Sequence, residues 1–120
     1  MAMALSLVYS VMAIAIGLSY LVFPVQPITG TVQAVTLVVP IVVWGCLFTG
    51  AGLLILATLV FHRFQHIAHF LTAVLWTGWT SIIITAVLLK VATVGAPFYV
   101  ASIMFAHVIL AIYYRPPRKF

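Results

Sequence analysis

Not one of the 120 residues is an aspartate or a glutamate. A soluble fold covers itself with charges of both signs, roughly a quarter of its residues, and a chain without acidic side chains cannot build that surface. Here 67% of the residues are hydrophobic and 4% are charged. The medium around most of the chain must then be lipid. At about 20 apolar residues per crossing, the length admits four or five spans and leaves nothing for a soluble domain. Residues 1–120 are therefore expected to form a single polytopic membrane domain, an all-α integral membrane four-helix bundle with short loops.

The breaks in the apolar pattern place the spans. The first runs from Ala2 to Phe23 and stops where Pro24, Pro27 and Gly30 break any helix. It lacks the basic start of a signal peptide and continues past the length of an apolar signal core, so it is predicted to be retained. The second starts near Pro40, whose missing N–H costs nothing in a first turn, and ends at Phe61. Thr31 to Val39 is left as an interfacial lead-in or kinked extension. The polar knot His62-Arg63-Phe64-Gln65-His66 separates it from a third span, Ile67 to Lys90, and Gly95-Ala96-Pro97 turns the chain into a fourth, Pro97 to Tyr114. No internal repeat stands out.

The net charge of +5 comes from Arg63, Lys90, Arg115, Arg118 and Lys119. These are too dispersed for a nucleic-acid surface and read instead as topology markers and contacts for anionic headgroups. With four spans, both termini and the second loop share one side and hold all of these charges except Lys90. The excess predicts a multi-pass protein of the cell membrane with both termini cytoplasmic. Lys90 is expected to snorkel to the opposite interface, and Tyr113 and Tyr114 to join the inner aromatic belt. Cys46 is the single cysteine, so no disulfide forms within the chain; it reads as a small buried hydrophobe.

In lipid, helices approach through stripes of small residues. Ser6, Ser10, Ala13 and Gly17 form one on the first span. Gly45, Thr49 and Gly52 form another on the second, with Cys46 and Gly50 beside it, and Ala73, Thr77, Ser81 and Thr85 a third on the third span. The fourth offers only Ser102 and Ala106. The first three spans are expected to use these stripes mainly against one another. The third stripe is also weakly polar: its hydroxyls either bond carbonyls of the preceding turn or, with several copies around an axis, line a narrow wet path. Trp44, Trp76 and Trp79 are the three tryptophans, and Trp76 and Trp79 lie a third to half of the way into the third span, deeper than interfacial tryptophan usually does. They are expected to pack with their indole N–H groups on Thr77, Thr80 or a facing carbonyl, the alternative being a stacked cofactor or quinone.

The missing carboxylates exclude paired-acid catalysis, Ser-His-Asp chemistry, Ca²⁺ or Mg²⁺ cages and carboxylate-coupled transport, so the chain is not expected to be an enzyme. Histidine is what remains. His62, His66 and His69, spaced i, i+4, i+7, would share one face of a continuous helix and form a Zn²⁺ or Cu site; otherwise they are interfacial residues. His107 lies about 10 Å inside the fourth span, counting back from Tyr114 at 1.5 Å per residue, a depth at which an ionisable side chain is functional by default. It is expected to be buried, neutral and the most substitution-sensitive of the four histidines, with His62, His66 and His69 tolerating Gln. Antiparallel packing brings His69 or His66 toward it, against an axial offset. Such a pair could ligate haem b or a metal, although no cofactor is expected, or His107 could be an ordinary interhelical hydrogen-bonding residue.

Two functions are consistent with these features. One is a non-enzymatic, self-associating channel; in size and layout the chain resembles phage holins. The other is an accessory or anchor subunit of a larger membrane complex of respiratory or oxidase type, haem- or metal-binding through His107. The partners expected are the lipid bilayer and either copies of the chain or other membrane subunits.

Overall fold

The computed structural model describes residues 1–23, 36, 38–89 and 95–116. The loop from Pro24 to Gly30, most of the lead-in before Pro40, and Lys90, Arg118 and Lys119 lie outside them. Among the described residues the fold is all-helical: α1 (Ala2–Val22), α2 (Ile41–Phe61), α3 (Gln65–Leu88) and α4 (Ala96–Tyr113). Helices α1, α2 and α3 are long and apolar enough to cross a membrane. At 18 residues, α4 is equally apolar but reaches only about 27 Å at 1.5 Å per residue.

Helices α1 and α2 form a tight antiparallel pair. The Ser10 hydroxyl donates to the Gly52 carbonyl at 2.7 Å. A Cβ on Gly52 would lie 2.6 Å from the Ser10 carbonyl, and one on Gly17 would lie 2.7 Å from the Gly45 carbonyl and collide with Thr49. Backbone meets backbone along the whole seam, which only small residues allow. Ser6, Ser10, Ala13 and Gly17 are all buried.

The α2–α3 turn is shorter than the polar knot predicts. His62 ends α2 in the left-handed region (φ 52°), Phe64 repeats it (φ 60°), and α3 begins at Gln65. The N–H groups of His62 and Arg63 both close on the Thr58 carbonyl, satisfying acceptors that a helix end leaves open.

The third stripe does not pack inside the bundle. Ala73 is buried, but Thr77, Ser81 and Thr85 are exposed and donate to the carbonyls of Ala73, Thr77 and Ser81. The physical reason is periodicity: steps of four residues drift about 40° per step on a helix of 3.6 residues per turn. The buried side of α3 carries Thr72, Trp76, Trp79, Thr80, Ile83 and Ala86 instead. Cys46, too, is exposed rather than buried, because its neighbour Gly45 takes the α1-facing position.

The bundle interior has two unlike halves. Trp44, Phe48, Trp76, Trp79 and Ile83 fill one, with Phe48–Trp76 centroids 4.7 Å apart, Trp44–Trp79 edge-on at 4.8 Å and Tyr20 of α1 stacked on Trp79 at 5.9 Å. The hydroxyls expected to serve the indoles are engaged elsewhere. Thr80 donates to the Trp76 carbonyl and Thr77 to that of Ala73, while Trp76 Nε1 is buried without a hydrogen-bond partner. The other half combines a smaller apolar cluster, Ile55, Leu59 and Ala68, with the buried polar side chains Ser6, His69 and His107.

Candidate functional site

The half that holds these polar side chains lies where the N-terminal end of α1, the α2–α3 turn and the C-terminal end of α4 meet. His69 stands five residues into α3 and His107 seven residues from the end of α4, so antiparallel packing leaves an axial offset of only about 3 Å. Side-chain reach closes it: the two Nδ1 atoms are 2.9 Å apart, and the rings are 1% and 0% exposed. His69 Nε2 lies 2.9 Å from the Ser6 hydroxyl, which is itself 3.4 Å from the Tyr114 hydroxyl. The Tyr114 ring stacks on His69 at 5.7 Å and the Tyr9 ring tilts against His107 at 5.0 Å. Four polar side chains from three helices thus form one chain of contacts, Tyr114–Ser6–His69–His107, in an apolar bundle.

The proton positions along this chain are coupled. A hydrogen bond between two imidazole nitrogens needs one donor and one acceptor, so the rings cannot both be doubly protonated. If Ser6 donates to His69 Nε2, His69 donates through Nδ1 and His107 carries its proton on Nε2. If Ser6 accepts, His107 donates through Nδ1 and its Nε2 is a bare lone pair. In either arrangement His107 Nε2 is buried with no hydrogen-bond partner. That atom is a donor in the first arrangement and an acceptor in the second.

The histidine triplet is not brought together. His62 sits in the left-handed turn and is exposed, and His66 faces an outer groove between α3 and α4. A continuous helix from 62 to 69, which the triplet requires, does not exist. Among the described residues no three His, Cys, Asp or Glu side chains group as a metal site. For the pair, a tetrahedral metal with bonds of about 2.0–2.1 Å would hold two nitrogens roughly 3.3 Å apart, so a shared ion needs the 2.9 Å contact to open slightly. A haem between the rings would in addition need a slot for its macrocycle.

His69, expected to tolerate Gln, is as buried as His107 and has two polar partners rather than one. Ser6, Tyr9 and Tyr114 are brought to the site by the fold; in the sequence, the small-residue stripe accounts for Ser6 and the aromatic belt for Tyr114. The one available signal was the seven-residue spacing of His107 and Tyr114, which puts them on one helix face.

The fold and site therefore define a helical membrane-type bundle with a buried polar cluster at one end. Comparison with protein families, characterised proteins and solved structures yields no match.

Proposed function

We propose that this is a non-enzymatic membrane protein that crosses the bilayer four times, with both termini cytoplasmic, and self-associates through the outer face of α3 as a channel or holin-like assembly. The observation that carries the proposal is that face. Thr77, Gly78, Ser81 and Thr85 are exposed, and a Cβ on Gly78 would meet nothing within 4 Å. The three hydroxyls are each satisfied within α3, so a flat, weakly polar surface of small residues faces outward with no role inside the monomer. In lipid such surfaces are where helices associate. Among the described residues the interior of one chain offers no conduit, since aromatic side chains close one half of it. A wet path must lie between copies, and this face has the hydroxyls to line it.

The test is the mass of the particle in lipid nanodiscs or mild detergent. The wild type is expected as a single multimeric species, and Ser81→Leu as a monomer with an unchanged melting temperature, because position 81 does not touch the bundle. A monomeric wild type at every protein-to-lipid ratio would refute the proposal.

A second reading, an accessory or anchor subunit of a respiratory or oxidase-type complex, is supported by the unsatisfied Nε2 of His107 beside His69, the kind of nitrogen that ligates haem b or a metal. Protein purified from native membrane would then be coloured, with a Soret band lost in His107→Ala. The self-association proposal expects no such band.

A further inference from the structure

We infer that the outer groove between α3 and α4 is a binding site for an anionic phospholipid of the cytoplasmic leaflet, its phosphate held by Arg115 and His66 and one acyl chain lying along Phe70, Val74, Val108 and Ala111. The inference rests on the membrane placement and its orientation, not on self-association. The groove has a volume of about 520 Å³ and runs along α3 from His66 to Thr77. The eleven steps from His66 to Thr77 span about 16 Å at 1.5 Å per residue, close to half of a hydrocarbon core of about 30 Å, the depth of one leaflet.

Its ends match a lipid in polarity. Arg115 and the half-buried His66 sit at the end of the bundle that carries the α2–α3 turn and Arg63, and the rest of the wall, down to Thr77 near mid-membrane, is almost wholly apolar. The charge argument is specific to this chain. With no Asp or Glu among its 120 residues, no acidic side chain competes for the exposed Arg115 guanidinium, which leaves it available to an anion from the membrane. At a membrane interface the abundant anion with an apolar tail is a phospholipid, and a guanidinium binds phosphate through two parallel hydrogen bonds.

The experiment is native mass spectrometry of the full chain released from nanodiscs of phosphatidylcholine and phosphatidylglycerol in equal amounts. The wild type is expected to retain phosphatidylglycerol over phosphatidylcholine in a ratio of about five to one, against parity in the bulk lipid, the effect of one basic side chain at such an interface. Arg115→Gln is expected to bring the retained lipid to bulk composition, Arg115→Lys to keep part of the enrichment, and Ala111→Leu, which fills the groove, to lower the number of lipids retained. Glycerol phosphate, which has the headgroup chemistry without a tail, is expected not to compete. A wild type without enrichment, enrichment that survives Arg115→Gln, or full competition by glycerol phosphate overturns the site. So does an Ala111→Leu protein with unchanged lipid but altered subunit number, since the groove is then a seam between copies. Melting temperatures of all variants in one detergent separate loss of the site from loss of the fold.

Discussion

Two buried imidazoles joined nitrogen to nitrogen make each depend on the other. Removing the His107 ring strands His69 Nδ1, and an unsatisfied buried polar group costs about 1–3 kcal/mol. His107→Ala is therefore expected to lower the melting temperature in detergent, and His107→Gln to recover part of the loss by supplying an amide donor or acceptor. His69→Gln is expected to be more damaging than His107→Gln, because His69 bonds at two separate ring edges, which a single amide cannot reach together, whereas His107 bonds at one. Equal melting temperatures for His69→Gln and wild type would contradict the hydrogen-bonded chain. His62 lies in the left-handed region at φ 52°, which costs an L-residue roughly 1–2 kcal/mol. His62→Gly is expected to raise stability by somewhat less than that, since glycine loses more backbone entropy on folding.

Among the elements, the two kinds of small-residue face respond differently. On the α1–α2 seam a side chain at Gly17 meets α2 backbone, so Gly17→Leu is expected to cost on the order of 1–3 kcal/mol of fold stability, the usual range for overpacking. Leu88→Ala, at an exposed position, is expected to change little. Thermal melts in a single detergent check both, and a Gly17→Leu protein as stable as wild type would remove the seam. The spans were legible because prolines, glycines and the His62–His66 knot interrupt an otherwise continuous apolar text, and each helix begins and ends within two residues of its expected place. The rotation of α3 was not legible. Its sequence offers two plausible faces, one of small residues and one of aromatics, and hydrophobicity does not choose between them when both packing partner and solvent are apolar. That ambiguity left the outward turn of the Thr77–Thr85 stripe unread, and Ser6 and Tyr114 were hidden because their roles depend on the rotations of three helices at once. His107 was visible because an ionisable residue at its depth stands out whatever the rotation.

At the scale of the whole molecule, the absence of acidic residues has two consequences. The chain has no acidic side chains to pair with its cations and none to supply carboxylate chemistry, which is why both proposals turn on contacts with lipid and with other helices. Orientation is expected to follow the basic residues: a cysteine at Arg115 in a Cys46→Ala background should be labelled by a membrane-impermeant maleimide only after the cells are opened. Labelling in intact cells would invert the topology. Self-association through α3 is tested most directly by oxidative cross-linking in native membranes, with single cysteines placed in the same background at Ser81 and, as a control on another exposed surface, at Val11. A disulfide-linked dimer at Ser81 and none at Val11 is the expected result. No dimer at Ser81, or equal cross-linking at both positions, would contradict it.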